Sequence, residues 1–303
     1  MILSLCPNPS VDIFVWMDAI HAGKVNRARK EQRFPGGKGV HVALACAELG
    51  EEVTLMGFWG GPTGDWIREE CARYGIRSTG VELSEWSRTC QSIKSENEYN
   101  ETEILGVGPA VTVDRQNELE GLLEKFLPEA SCVSMSGSWP EGATPDGYAG
   151  LIRICNAYGK PVFLDCSGEP LRYALQERPY AVHLNASEAG GLFGDMEPGK
   201  LAEELVRHCS LAAVTAGREG LFLTDGKNRV HGKVSAEPCF SAVGSGDCLV
   251  AGLMEAYMEN MDLEDTARLG VACGAANCLR KELGMLYKKD VDRLFSQVIV
   301  KPL

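Results

Sequence analysis

Residues Ser241 to Leu253 read SAVGSGDCLVAGL, three small residues (Gly244, Ser245, Gly246) running straight into Asp247. Apolar positions at helical spacing follow, at Leu249, Leu253, Ala256 and Tyr257, and predict a helix from Asp247 to Met258. Small residues let the backbone turn tightly and approach a ligand closely. A helix that starts there has unpaired amide N–H groups at its first turn, backed by the positive end of its dipole. Such a turn is a cradle for an anion, suited to a phosphoryl group whose charge grows during transfer. Asp247 can take the proton of an incoming hydroxyl, or it can simply cap a core helix. This stretch alone leaves both roles open.

Downstream, a second long helix is expected over Glu264 to Glu282 and a short one near Val291 to Ser296. Upstream, strands (Met1–Cys6, Ile13–Met17, Val53–Phe58, Cys132–Ser136, Val162–Asp165, Ala181–Leu184, Ala212–Thr215) alternate with helical segments (Val40–Gly50, Thr63–Tyr74, Val113–Phe126, Pro145–Tyr158, Glu169–Gln176, Leu201–His208). Leu221–Thr224 and Arg229–Gly232 look like antiparallel additions. This alternation predicts an α/β fold, a mainly parallel sheet with helices on both faces. The polar, basic 23–34 stretch has too little apolar content for the core, and about 12–35 and 86–107 are expected to form a small β lid; no linker or repeat divides residues 1–303, so one domain is expected.

Ligands of such sheets bind at the carboxyl ends of the strands. The residues that follow predicted strands are Asp12, Gly36 to Lys38, Ser136 to Ser138, Asp165, Asn185 with Glu188, Thr215 to Gly220, and Gly244 to Asp247. Pro35-Gly36-Gly37-Lys38-Gly39 brings backbone amides and one ammonium to a helix start, without the GxxxxGK[ST] spacing of a Walker loop. Taken singly, each feature also has a plain structural role as a turn, a cap or a solvated charge.

Composition narrows the function. Of 303 residues 45% are hydrophobic and 7% aromatic, enough for a sizeable core. A net charge of −12 argues against nucleic-acid or anionic-membrane partners, which need basic surface. The N-terminus has no basic n-region, and no apolar run approaches a membrane span. Twelve cysteines, scattered without CxxC or metal-site spacing, read as reduced thiols of a cytoplasmic protein.

The whole chain resembles the PfkB (ribokinase-like) sugar kinases, most closely their 1-phosphofructokinase and tagatose-6-phosphate kinase branch. CPNPSVDI resembles the branch's NPxxD, GGKGVHVALACAELG its GGKGxNVAxxLxxLG, and SGSWPEG its SGSLPxG. LDCSGEPLRYAL resembles DxSGExL, Asn185-Ala186-Ser187-Glu188 matches NxxE, VTAGREG matches VTxGxxG, and VGSGDCLVAG resembles VGAGDxxxAG. The resemblance implies a three-layer α/β/α sandwich with a β-sheet lid, and ATP-dependent phosphoryl transfer to a hydroxyl of a phosphorylated ketohexose. It makes Asp247 the base and the amides of Gly244, Ser245 and Gly246 the phosphoryl cradle. Glu188 would position Mg²⁺ through water beside Asn185. Thr215, Gly217 and Gly220 would line the nucleotide, and the helix through Ala272 to Asn277 would flank adenine. Asp12, Gly37, Lys38, His41, Arg88 and Ser138 fall on the sugar side, with Lys24 and Arg27 as phosphate contacts from the lid. Exposed lid strands invite a homodimer.

Departures from the branch pattern bear on the acceptor. His41 replaces the Asn of GGKGxN, Cys90 an arginine expected on the substrate phosphate, Ser92 an Asn, and His183 the lysine of KPN. Ala242 replaces a Thr tied to a monovalent-cation site, and Gly190-Gly191 weakens the NxxE helix. A non-phosphorylated sugar, polyol or nucleoside is therefore the alternative acceptor. A catalytically silent nucleotide or sugar sensor fits less well, since a pure binder needs no placed base. A dehydrogenase is disfavoured because no GxGxxG follows the first strand.

Overall fold

Side chains along the central strands alternate between two separate apolar clusters. Ile2, Cys132, Phe163 and Ala181 enter one, while Leu3, Val133, Leu164 and Val182 enter the other. Because successive strand residues point to opposite faces, this is the signature of a sheet covered on both sides. The computed structural model describes residues 1–95 and 101–303.

The chain opens with β1 (Ile2–Cys6), β2 (Ser10–Met17), β3 (Lys30–Gly36), α1 (Lys38–Leu49), β4 (Val53–Gly60), α2 (Gly61–Ala72), β5 (Arg77–Leu83), β6 (Arg88–Ser95) and β7 (Thr102–Ile104). It continues through α3 (Val113–Phe126), β8 (Cys132–Ser136), α4 (Gly147–Ala157), β9 (Val162–Asp165), α5 (Glu169–Ala174), β10 (Ala181–Asn185), α6 (Ala186–Phe193), α7 (Pro198–Leu205) and β11 (Leu211–Thr215). It closes with β12 (Leu221–Thr224), β13 (Arg229–Lys233), α8 (Ser245–Met258), α9 (Leu263–Cys278), α10 (Lys288–Phe295) and β14 (Ile299–Pro302).

The larger sheet has the order β14-β13-β12-β11-β10-β9-β8-β1-β4-β5, parallel from β5 to β11 and antiparallel beyond. Buried residues of α1, α8 and α9 pack on one face, and those of α3, α4, α5 and α7 on the other. Strand order reverses at β1, whose neighbours are β4 and β8. That reversal opens a crevice at the carboxyl ends of β1 and β8, where open α/β sheets bind ligands. The second sheet, ordered β3-β2-β6-β7, is the small sheet expected from the two polar stretches.

Local chemistry explains the elements nearest the crevice. The Ser4 hydroxyl, buried in β1, donates to the Gly39 carbonyl at 2.7 Å and fixes the first turn of α1 against the strand. Gly50 ends α1 in the left-handed conformation, φ 111°, its N–H reaching back to Ala47 O. Thr112 caps α3, accepting from the Arg115 N–H.

Two sequence expectations need correction, two strands were not foreseen, and part of one expectation lies outside the described residues. Strand in the polar 23–34 stretch starts only at Lys30, because Asn26 bonds His21 N–H through its side-chain oxygen and the His21 and Lys24 carbonyls through its amide, so a side-chain-held turn replaces strand pairing. The final long helix stops at Cys278 rather than Glu282. Leu283, Met285 and Leu286 turn back into the core, around Gly284 at φ 62°. Two edge strands, β5 and β14, carry no clear apolar alternation and escape the sequence reading. Part of the 86–107 lid stretch, residues 96–100, lies outside the described residues.

Two glycines probe this packing with opposite signs. A Cβ on Gly39 meets the Leu5 carbonyl oxygen at 2.5 Å and Cys6 Cβ at 2.6 Å, whereas one on Gly191 inside α6 meets nothing within 4 Å. Gly39→Ala is expected to destabilise the fold by about 1–3 kcal/mol. Gly191→Ala is expected to stabilise it by about 0.5–1 kcal/mol. Denaturant unfolding of both variants checks the pair of signs.

Candidate active site

Three buried acids, Asp12 of β2, Asp165 at the end of β9 and Asp247 of α8, are exposed by only 8%, 1% and 4%. Ionised carboxylates that far from water need partners. Asp247 sits in the first turn of α8, directly after the Gly244 turn at φ 84°. Its Oδ2 lies 2.8 Å from Nδ1 of His41, and the other ring nitrogen of His41, Nε2, lies 3.4 Å from Asp12 Oδ2. The second contact is an ion-pair distance without hydrogen-bond geometry. Asp12 keeps its own hydrogen bond, since Ser10 Oγ donates to Oδ1 at 2.6 Å. Gly36 makes room for that carboxylate, because a Cβ there would fall 2.0 Å from Asp12 Cγ.

Burial is the largest influence on His41 and opposes its charge. The hydrogen bond with Asp247 and attraction from both Asp12 and Asp247 outweigh it and push the imidazole up to about 10. His41 thus lies buried between two carboxylates that favour its charged form. The ring is wedged from the side by Gly284, where a Cβ would fall 2.0 Å from His41 Cγ. Gly284 in turn lies against Gly244, whose Cβ would sit 2.3 Å from the Gly284 Cα.

A second chain of contacts runs through Asp165. Lys38 Nζ donates to Asp165 Oδ1 at 2.5 Å and lies 3.7 Å from Glu188 Oε1. His183 Nδ1 lies 2.8 Å from Asp165 Oδ2, and its Nε2 lies 3.1 Å from Thr215 Oγ1. Burial works against the charge on Asp165, but Lys38 and His183 together hold its carboxyl well below the usual range. Burial likewise opposes the charge on Lys38, and Asp165, Asp247 and Glu188 hold the ammonium charged well above the usual lysine range.

The turn before α8 is braced from behind. Asn277, buried in α9, donates through Nδ2 to Val243 O at 2.9 Å and to Ser245 Oγ at 3.0 Å. Ser245 N–H is taken by Ala242 O at 3.1 Å, so the first-turn amides of Gly246 and Asp247 are the ones without a helical acceptor. A Cβ on Gly246 would meet His183 Cε1 at 2.8 Å, so glycine lets the imidazole lie against the cradle.

Several site residues expected from sequence have contacts of a different kind. Asn277 braces the turn rather than facing outward, its amide being held by Val243 and Ser245. Lys38, expected against the sugar or its phosphate, is held by Asp165 and Glu188. Lys24 and Arg27 lie in the exposed 21–29 segment and not in a lid strand. Arg88 donates through Nε and Nη2 to the Asn8 carbonyl at 3.3 and 3.1 Å. Lys38 and Arg88 therefore have different partners, while Lys24 and Arg27 lie exposed. Asn8 Nδ2 also donates to Ser138 Oγ at 3.0 Å, bridging the segments after β1 and β8 across the crevice. Gly37 precedes α1 at φ 97°, and Gly217 and Gly220, at φ 55° and 98°, flank the tight turn after β11.

Glu188 and Asn185 form a complete capping box, with Asn185 N–H donating to Glu188 Oε2 at 2.9 Å and Glu188 N–H to Asn185 Oδ1 at 2.8 Å. Among the described residues, no group of three or more His, Cys, Asp or Glu side chains could hold a metal ion by itself. Glu188 fits a metal carried largely by phosphate oxygens and water, the usual habit of magnesium. Sequence reasoning gave His183 only as a departure and did not foresee Gly284 or Glu103. Burial raises the Glu103 carboxyl, and Asp12 adds to the shift while His41 opposes it. Its position in β7, paired with Ser92 of β6, carries no motif that would have pointed to it.

Comparison with known proteins supplies the chemistry. Over 309 aligned residues the chain is 29% identical to tagatose-6-phosphate kinase of Staphylococcus epidermidis, with 99% of each covered. Phosphofructokinase-2 from Escherichia coli in complex with fructose-6-phosphate superposes with a TM-score of 0.86 at 27% identity, covering 97% of this chain and 98% of that one. The tetrameric inhibited form of the same enzyme gives 0.88 at 27% identity over the same shares. Residues 8–288 match the family described as pfkB family carbohydrate kinase, and with that match spanning nearly the whole fold the chain belongs to the pfkB family of carbohydrate kinases.

Proposed function

We propose that this kinase transfers the γ-phosphoryl group of ATP to a hydroxyl of a phosphorylated ketohexose, of the tagatose 6-phosphate, fructose 6-phosphate or fructose 1-phosphate type. The observation that carries the reading is Asp247, a buried carboxylate in the first turn of a helix that opens behind a glycine turn, linked through His41 to Asp12. In the proposed reaction the acceptor oxygen attacks the γ-phosphorus as its proton passes to Asp247. The bond to the bridging oxygen breaks and ADP leaves. No covalent intermediate is needed, so alignment and charge stabilisation suffice.

The amides of Gly246 and Asp247 meet the migrating phosphoryl oxygens, with Gly244 and Ser245 shaping the turn. Lys38, held charged by Asp165 and Glu188, adds positive potential beside them. Mg²⁺, when bound with ATP, neutralises phosphate charge, and Glu188 with Asn185 would hold it through water. Thr215, Gly217 and Gly220 are assigned to the nucleotide, and Asp12 to acceptor hydroxyls. Ser138, Gly37 and Arg88 are assigned to the acceptor end, and Lys24 and Arg27 to its phosphate.

One observation favours a second reading. Glu103 stands within electrostatic reach of Asp12, and Cys90 pairs in register with Asp12, so the acceptor end is acidic where a phosphate would need cations. A non-phosphorylated sugar, polyol or nucleoside fits that balance.

An oligomer through the small sheet is also proposed. Ile104, Leu105 and Val107 are 55%, 65% and 83% exposed there, and the Escherichia coli enzyme has been seen as a tetramer. All twelve cysteines are unpaired, ten of them buried, which fits a reducing compartment such as the cytoplasm. No helix of the described residues is long and apolar enough to cross a membrane.

Asp247→Asn is expected to lower turnover by about 10²–10⁴-fold with ATP affinity unchanged, the usual scale for a general base. Normal turnover in that variant would show the base assignment to be wrong. ATP consumption measured across free and phosphorylated ketohexoses, polyols and nucleosides should be fastest with a ketohexose phosphate. Turnover confined to unphosphorylated acceptors selects the second reading.

A further inference from the structure

His41 has more to it than the placement of a polar group near the acceptor. Its two ring nitrogens face two acids on different elements, Asp247 on α8 at 2.8 Å and Asp12 on β2 at 3.4 Å. An ionised carboxylate only accepts hydrogen bonds, so facing one with each nitrogen favours a proton on both. The asparagine of the branch pattern carries one carbonyl and one amide and no charge. Between two carboxylates its carbonyl would be set against oxygen. Histidine at this position therefore changes the site from a neutral contact to a cationic link.

We propose that His41 is a positioning residue for Asp247: doubly protonated, it holds Asp247 Oδ2, leaves Oδ1 free for the acceptor hydroxyl, and fixes that carboxylate relative to Asp12. The proposal rests on Asp247 being the base. Its geometry is tightly restrained. The ring is 3% exposed, and Gly284 lies so close that even a methyl group there would overlap it. The same Gly284 lies against Gly244 at the phosphoryl cradle, so ring, base and cradle are packed as one unit. Ser10 holds the other oxygen of Asp12, which restrains that carboxylate beside the ring.

The charged groups around the ring are Asp12 from β2, Asp247 from α8 and Glu103 from β7. Lys38, at the start of its own helix, acts on Asp247 from farther off. The three acids all favour the imidazolium. With its ordinary value of 6.5 raised to about 10, the ring stays charged through neutral pH and loses its proton only as pH rises past about 10. Loss of that proton removes the donor to one of the two acids and leaves both negative charges close together.

The test combines spectroscopy on the intact protein with kinetics. In protein labelled with ¹⁵N-histidine, one of the five histidines is expected to remain doubly protonated at pH 8.5, and its signal to vanish in His41→Asn. His41→Ala is expected to lower kcat on the order of 10²-fold with KM for ATP unchanged, the scale of a misplaced reacting group. His41→Asn should recover part of that loss, and both variants should lack the alkaline fall in kcat near pH 10 that is expected of the parent. If all five imidazoles are neutral at pH 8.5, the proposal fails, whether or not the variants fold. Turnover abolished in Asp247→Asn but unchanged, with the parent pH profile, in both His41 variants overturns this proposal alone. Turnover surviving in Asp247→Asn overturns the base assignment and the proposal with it.

Discussion

Three carboxylates held almost out of water, on β2, β9 and α8, govern how this site is built. Moving an isolated carboxylate into such surroundings is costly enough that it would protonate or stay at the surface. Here each acid is matched. Asp165 lies between Lys38 and His183, and Asp247 and Asp12 share His41. The two systems meet electrostatically at Lys38, which responds to Asp247 as well as to Asp165 and Glu188. The sheet supplies the fixed distances, since β9 and β10 end side by side and β1 sets the start of α1.

Burial of this kind exchanges some stability for placement. A paired buried charge gains little over a well-packed apolar group, whereas loss of one partner leaves the other uncompensated. The reward is a carboxylate fixed in place before substrate arrives. Phosphoryl transfer depends on alignment and on charges that need no reorganisation at the moment of reaction. The buried thiols play no part in this. Burial pushes Cys71 and Cys132 up to about 12, which keeps them as inert apolar fillers.

Much of the fold was legible because it follows local periodicity. α3 and β8 run where their apolar patterns place them, and the glycine turn before Asp247 begins a helix as its composition requires. The NxxE motif carried two readings, and the capping bonds between Asn185 and Glu188 are present while Glu188 still reaches toward Lys38. The pairing of residues far apart in sequence was not legible. Nothing near Lys38 announces Asp165, 127 positions away, or near His41 announces Asp247, 206 positions away. The exposed 21–29 segment failed for a different reason. Its charges resemble a lid strand, but the Asn26 side chain competes for the backbone and wins.

The most consequential misreading concerned the end of α9, where helical pattern continues past the point at which the helix stops. Arg280, Lys281 and Glu282 are good helix formers, and local propensity alone would carry the helix onward. Burial of Leu283, Met285 and Leu286 decides otherwise, because a straight continuation would draw Met285 and Leu286 away from the core they join. Reversing the chain between Leu283 and Met285 needs a residue at positive φ with no side chain, and Gly284 provides it at 62°. The same absence of a Cβ lets the backbone press on both His41 and Gly244. A folding requirement of the C-terminal region thus closes one wall of the site, and the residue that permits the turn also sets how close the imidazolium and the phosphoryl cradle can be.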